Sequence, residues 1–228
     1  MRQIPLAIGP DPEPSFDSFV AGPNALAVEL LASLALPGPP VYLWGPSGSG
    51  KTHLLRAWAR QVRAAGGSVG GFEPSDALPW ALAPGWSLVV FDDCHALSEA
   101  QQQAAFAIFI EAQQQGVQVA AAGRWPPVDL PLREDLRTRL GWGHVLALQC
   151  LSEAETRAAL RREADRRGIV LSDDVLGYLL TRFERDLKHL MTLLERLDRY
   201  ALGEGRPVTV PLLKRMLADP GTEGGPTA

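Results

Sequence analysis

A glycine-rich segment followed by lysine and threonine is the part of this 228-residue chain best suited to binding phosphate. Glycines let the backbone curl so that consecutive N–H groups point at one anion. In loops of this pattern the lysine provides a point charge for the β- and γ-phosphates, and the threonine hydroxyl is a Mg²⁺ ligand. The segment has the spacing GxxxxGK[ST] and consists of Gly45, Pro46, Ser47, Gly48, Ser49, Gly50, Lys51 and Thr52. It predicts a nucleotide site with Mg²⁺.

Two adjacent carboxylates, Asp92 and Asp93, follow a strongly apolar run that ends at Phe91. A carboxylate at the end of a buried strand beside a phosphate loop is where Mg²⁺ is held. We assign Asp92 to the metal, through its water shell, and Asp93 to the orientation or deprotonation of a water. The alternative is a solvated strand end, and the intact phosphate loop upstream argues against it.

Strands that alternate with helices are needed to position these groups. Runs typical of buried strands lie at residues 41–44, 68–73, 87–91, 117–122 and 145–148. Helices are expected between them, at residues 24–36 with Asn24 as the cap, 53–62, 76–83 and 98–115. This alternation predicts an α/β fold, in which a parallel five-stranded sheet is sandwiched by helices.

The pattern changes at Leu151, after which four helices are expected without a strand, at residues 152–167, 172–182, 185–202 and 211–217. Capping residues such as Ser152 and Ser172 begin the first two. We therefore predict an extended Pro-rich arm over residues 1–14, a nucleotide-binding subdomain over 15–150, a small helical subdomain over 151–218 and a disordered tail over 219–228.

Composition limits the partners. The net charge is −4, and neither lysine nor arginine occurs from Ala64 to Gly123. This balance argues against a protein that coats nucleic acid. The chain lacks a signal-peptide pattern and any apolar run long enough to cross a membrane, so a cytoplasmic location without membrane contact is expected.

Two further stretches resemble the AAA+ module of the bacterial initiator DnaA. Residues 137–143, Arg-Thr-Arg-Leu-Gly-Trp-Gly, are similar to the Arg-Phe-Gly-Trp-Gly box of DnaA, and residues 15–22 resemble its adenine-contacting segment. The resemblance covers residues 15–217 and implies an AAA+ P-loop NTPase fold with a helical lid. No counterpart of the DnaA interaction domain or DNA-binding domain is expected, which makes the match closer to the Hda group of DnaA-like regulators.

This resemblance implies a set of roles. Phe19 and Val20 would contact the adenine of ADP or ATP, and Lys188 would occupy the sensor position of the lid. Arg139 takes the position of the arginine finger, a catalytic group that acts on the nucleotide of a neighbouring subunit, here DnaA. Residues 3–8 resemble the peptide that binds the DNA polymerase III β sliding clamp, where an extended arm would dock through Gln3, Leu6 and Ile8.

Three departures from DnaA limit these expectations. Gly123 stands where DnaA has a sensor aspartate, and Lys188 replaces an arginine, which keeps the charge but loses the bidentate fork. The segment from Gly66 to Ser87 lacks the basic residues that grip origin DNA in DnaA. We therefore expect weak or no ATPase activity of the chain's own and no sequence-specific DNA binding.

The leading hypothesis is a regulator of replication initiation that binds adenine nucleotide and the loaded clamp, stimulates ATP hydrolysis by DnaA and so prevents re-initiation. A self-assembling ATPase is one alternative, because the phosphate loop and Asp92–Asp93 are complete. A DnaA-like DNA-binding or loading factor is another. A homodimer is compatible with each of these three hypotheses.

Overall fold

The computed structural model describes residues 14–183 and 187–219. The chain separates into two compact units, of which one ends at Cys150 and the other begins at Leu151. The first contains the sheet and the phosphate loop, and the second is helical.

The first unit is built on a parallel sheet of five strands in the order β2-β3-β4-β1-β5. Its strands are β1 Val41–Trp44, β2 Ser68–Phe72, β3 Trp86–Phe91, β4 Gln118–Gly123 and β5 His144–Ala147. Because all strands run in one direction, the segments that follow β1, β3 and β4 emerge at the same edge. The α/β prediction is confirmed, and the fold gathers the phosphate loop, Asp92 and Gly123 at that edge.

Helices cover both faces of this sheet. They are α1 Ala25–Ser33, α2 Lys51–Ala64, α3 Glu99–Gln115 and α4 Glu134–Leu140. Leu31 of α1 and Trp58 of α2 pack into one core cluster, whereas Phe109 of α3 and Leu136 of α4 pack into the other. Burial of these apolar side chains on two faces fixes the layered arrangement.

The helix expected over residues 76–83 is wrong, since this segment consists of turns and irregular backbone. Trp80 and Leu82 are buried while Ala81 between them is exposed, a period of two that suits extended backbone. Pro79 and Pro84 also lack the N–H groups that a helix requires. The Trp80 ring stacks on Phe72 of β2 at a centroid distance of 4.9 Å, so the segment covers the core beside that strand.

Asn24 precedes α1, but its side chain does not cap the helix, and α1 ends at Ser33 rather than Leu36. The amide instead pairs with the backbone of Gln149, donating from Nδ2 to the carbonyl at 2.9 Å and accepting from the N–H at 2.8 Å. Both contacts lie within the first unit and hold the start of α1 to the segment after β5. This pairing satisfies the buried side-chain amide of Asn24 as well as the backbone of Gln149, which outweighs the local cap.

The second unit consists of α5 Glu153–Arg166, α6 Asp173–Arg182, α7 Leu187–Glu204 and α8 Val210–Ala218. Ser152 and Glu155 form the predicted capping box at the start of α5. Leu160, Leu176, Leu193 and Leu213, one from each helix, are all buried in a common core. In the part of the chain that is described, no helix is both long and apolar enough to cross a membrane.

Candidate functional site

The phosphate loop connects β1 to α2, and its last glycine is conformationally demanding. Gly50 has a φ of +94°, and α2 begins at the next residue. A Cβ atom at Gly50 would collide with the ring of Phe19, which lies directly against this end of the loop. Glycine is therefore required by both the backbone angle and the aromatic contact. The arrangement points the first N–H groups of α2 toward the loop, where an anion is favoured.

Lys51 is buried, with 7% of its surface exposed, and its ammonium group is held by the loop itself. Nζ donates to the carbonyls of Gly45 at 2.9 Å and Pro46 at 2.8 Å. Burial lowers the pKa of Lys51, and the negative charges of Asp93 and Asp92 oppose that shift. A phosphate group would offer this desolvated cation a stronger partner than neutral carbonyls do.

Ser49 supports the same interpretation from a different atom. Its side chain is buried, and Oγ has no hydrogen-bond partner among the described residues. A buried hydroxyl without a partner costs about 1–3 kcal/mol. A phosphate oxygen within this loop would supply the missing acceptor, so the residues present fit a bound nucleotide.

Thr52 lies close enough to Asp92 for its hydroxyl to lower the pKa of that carboxyl, as expected of two groups that share one metal. Asp92 also accepts from the backbone N–H of Asp93 at 2.9 Å. Burial raises the pKa of Asp92, and the nearby Thr52 hydroxyl partly offsets the shift. A carboxylate and a hydroxyl are oxygen donors of the kind that Mg²⁺ prefers, and a divalent charge would stabilise the ionised form of this half-buried carboxylate.

Asp93 lies beside this pair but differs from it in exposure and backbone. It is exposed and has a φ of +47°, in the left-handed region that residues other than glycine rarely adopt. Its Oδ1 is 3.9 Å from Nδ1 of His95, whose ring meets Trp125 edge-on at 5.5 Å. The structure thus places Asp93 next to the predicted metal residues, where its assigned action on water stays a prediction.

Replacing Asp92 with asparagine is expected to stabilise the nucleotide-free protein at pH 7 by about 0.5–2 kcal/mol. The pKa of Asp92 is raised above its ordinary value of 3.8. Between that value and the raised pKa, the folded state therefore binds more protons than the unfolded state. The contribution of Asp92 to the stability of the wild type is therefore largest below the ordinary pKa and falls as pH rises through the folded pKa. Urea unfolding from pH 7 down to about pH 4.5 measures the difference.

The gain from Asp92→Asn should shrink as the pH falls, because protonation removes the same charge in the wild type. The control is Asp93→Asn, which removes the charge of the exposed carboxylate next to Asp92. It should change the free energy of unfolding little. A gain from Asp92→Asn that stays constant across this pH range would contradict the account.

The sensor position at Gly123 is occupied by a neighbouring side chain. A Cβ atom there would collide with the hydroxyl of Tyr42 and would lie 3.3 Å from Cδ2 of Leu130. Tyr42 is fully buried and donates to the carbonyl of Trp125 at 2.8 Å. A sensor side chain could not be restored here without moving Tyr42. Sequence reasoning identified the glycine but not the tyrosine, because the two lie on different strands.

The predicted adenine segment is held against α2. The ring of Phe19 lies 5.3 Å from that of His53, and Val20 beside it is half-buried. Nε2 of His53 is 3.0 Å from the carbonyl of Ser15, and burial lowers the pKa of His53. The structure therefore brings Phe19 and Val20 to the end of the phosphate loop, and contact with adenine stays a prediction for both.

Arg139 lies in the last turn of α4, a helix that the sequence did not predict. The side chain of Gln102 helps to place that helix, since it is buried, accepts from the N–H of Arg133 and donates to the carbonyl of Leu97, both at 2.9 Å. Among the described residues, Arg139 contacts Gln113, Phe106 and Trp142 rather than the phosphate loop.

The remaining predicted site residues lie elsewhere. Lys188 is exposed near the start of α7 in the helical unit, and its role as a nucleotide sensor stays a prediction. Gln3, Leu6 and Ile8, predicted to bind the clamp, lie outside the described residues.

Comparison with solved structures identifies the class of the fold. Domain III of the replication initiation protein DnaA from Thermotoga maritima is similar with a TM-score of 0.74 and 21% identity, covering 93% of this chain and 98% of that one. AMPPCP-bound DnaA from Aquifex aeolicus has a TM-score of 0.68 and 21% identity, covering 92% and 71%. The Thermotoga maritima RuvB branch migration motor has a TM-score of 0.58 and 17% identity, covering 79% and 61%.

The fold is thus that of a DnaA-like AAA+ module with a C-terminal helical region. Residues 153–217 match the family model described as the Hda lid domain. The lid match and the DnaA neighbours together confirm the resemblance to Hda, a DnaA-like AAA+ protein.

Proposed function

We propose that this chain is an Hda-type regulator of replication initiation. In this proposal it binds adenine nucleotide and the DNA polymerase III β sliding clamp, stimulates ATP hydrolysis by DnaA and so prevents re-initiation. The observation that carries the proposal is that Arg139 contacts Gln113 rather than the phosphate loop, on a DnaA-like fold whose residues 153–217 match the Hda lid model. An arginine that does not contact the phosphate loop of its own chain can act on a nucleotide held by another protein.

Holding the nucleotide is the task of the phosphate loop. Lys51 would exchange the carbonyls of Gly45 and Pro46 for phosphate oxygens, and Ser49 would gain the partner that it lacks. Thr52 and Asp92 would hold Mg²⁺, which neutralises phosphate charge when bound. The resting nucleotide in this proposal is ADP.

Weak hydrolysis by the chain itself follows from the strand end beside this loop. Tyr42 fills the space next to Gly123, and its hydroxyl is already committed to the carbonyl of Trp125. No sensor side chain at position 123 is therefore available to orient water. This supports a nucleotide that orders the module rather than one that is consumed.

The clamp tether is tested by combining Gln3→Ala with Leu6→Ala, expected to weaken clamp binding about 10–100-fold. An extended peptide binds through main-chain hydrogen bonds and side-chain pockets, and these changes remove one polar and one apolar anchor. Surface plasmon resonance on immobilised clamp measures the loss. Glu13→Ala, in the same segment but outside the motif, should bind as the wild type does, and equal affinity of the double variant would remove the tether from the proposal.

A reconstitution tests the whole proposal. ATP-loaded DnaA is mixed with the clamp on DNA and with this chain, and the conversion of bound ATP to ADP is followed. Conversion should require both the chain and the loaded clamp. Conversion at the same rate without the chain would show that the proposed regulation is wrong.

A further inference from the structure

The guanidinium of Arg139 is surrounded by side-chain contacts that the sequence motifs did not identify. Its guanidinium lies over the ring of Trp142 at 4.7 Å and over that of Phe106 at 5.3 Å. Nη1 also donates to Oε1 of Gln113 at 3.1 Å. Two aromatic faces and one amide therefore define where this cation lies.

The amide contact comes from a different element than the arginine. Gln113 and Phe106 are seven residues apart in α3, so they lie on the same face of that helix, two turns from each other. Arg139 belongs to α4, and its guanidinium reaches across to α3. A long side chain that could adopt many rotamers is thus hydrogen-bonded to a helix of 17 residues.

We propose that Gln113 is a positioning residue for Arg139, which it pre-orients for action on the nucleotide of the partner. This inference rests on the proposed function and adds a residue to it. A free arginine side chain loses rotamer entropy when it is fixed, and the contact with Gln113 removes part of that loss before the partner arrives.

The chemistry of glutamine suits this task. A guanidinium has five N–H donors, and among the described residues the hydrogen bond to Gln113 uses one of them. The amide oxygen fixes the group without neutralising its charge, whereas a carboxylate would weaken its attraction for phosphate. Beside it lies an open cleft of about 640 Å³, bordered by Phe106, Trp142, Glu134 and Arg139 itself, through which a partner could approach.

The test compares Gln113→Leu, which keeps the size of the side chain but removes the acceptor, with Gln114→Leu at the exposed neighbouring position. In the reconstitution with ATP-loaded DnaA, Gln113→Leu should lower the maximal hydrolysis rate about fivefold to tenfold and leave the half-saturating concentration unchanged. Gln114→Leu should behave as the wild type.

A second measurement follows the arginine without the partner. The Nε–Hε signal of Arg139, assigned by its loss in Arg139→Lys, should become more mobile in NMR relaxation for Gln113→Leu but not for Gln114→Leu. A general loss of folding would move many signals rather than this one.

The outcomes separate the two proposals. If Arg139→Ala abolishes stimulation while Gln113→Leu keeps the maximal rate, the positioning role is overturned and the proposed function stands. A change confined to the half-saturating concentration, or equal losses in the two leucine variants, also overturns it. If Arg139→Ala leaves hydrolysis unchanged, the proposed function fails and the positioning role falls with it.

Discussion

Replacing Arg139 with alanine is expected to lower the DnaA hydrolysis rate stimulated by this chain about 10³-fold, the lower end of the range for arginine fingers. In the proposed role the guanidinium would stabilise charge that develops on the transferring phosphoryl group, and alanine would leave that charge unbalanced. Nucleotide binding by the chain itself should be unaffected, because Arg139 contacts α3 and Trp142 rather than the phosphate loop. Single-turnover hydrolysis with DnaA, loaded clamp and excess chain measures the effect.

Arg137→Ala is the matched control, since Arg137 lies in the same last turn of α4. It should retain most of the stimulation. Arg139→Lys should recover only part of the lost rate, because lysine keeps the charge but lacks the planar fork. Equal losses for Arg137→Ala and Arg139→Ala would indicate a general basic surface instead of a finger.

The second large effect is expected in nucleotide binding. Lys51→Ala should weaken ADP binding about 100-fold or more, because it removes a buried cation that would make charge-assisted hydrogen bonds to phosphate. Isothermal titration with Mg²⁺–ADP measures the affinity. Removing the ammonium also removes its desolvation cost, so the unfolding temperature without nucleotide should not fall greatly.

Lys214→Ala provides the control for charge. Lys214 lies in α8 of the helical unit, over the ring of Tyr178 at 5.4 Å. Its removal changes the net charge by the same amount and should leave ADP affinity unchanged. Affinity that is equal in Lys51→Ala and the wild type would mean that the loop is not a phosphate site.

The fold could be predicted from the sequence because its signals are local. Apolar runs between helical patterns located all five strands of the parallel sheet, with end residues that differ little from those observed. The glycine-lysine-threonine spacing placed the loop between β1 and α2 for the same reason.

The errors arose where tertiary packing prevails over local pattern. Residues 76–83 have helix-forming composition in part, yet Trp80 and Leu82 are drawn into the core as extended chain. Asn24 has the chemistry of a cap, but the backbone of Gln149 is its partner. The seven-residue helix α4 is too short to show a clear apolar period, and part of its placement comes from Gln102 of α3.

The same limit applies to the candidate site. The sequence pointed to Thr52, Asp92 and Gly123, because each belongs to a motif or departs from one. Tyr42 and Gln113 belong to no motif, and each matters through contacts with residues far along the chain. Only the folded geometry reveals such pairs.

In the proposed regulation ATP is hydrolysed on DnaA, while this chain keeps its own nucleotide. A labelling experiment tests it directly. In the first arm, DnaA carries γ-labelled ATP and this chain carries unlabelled nucleotide. In the second arm, this chain carries γ-labelled ATP and DnaA carries unlabelled ATP. With the loaded clamp present, we expect labelled phosphate to be released rapidly in the first arm and not in the second. Rapid release in the second arm, without release in the first, would contradict the account and identify the chain as an ATPase in its own right.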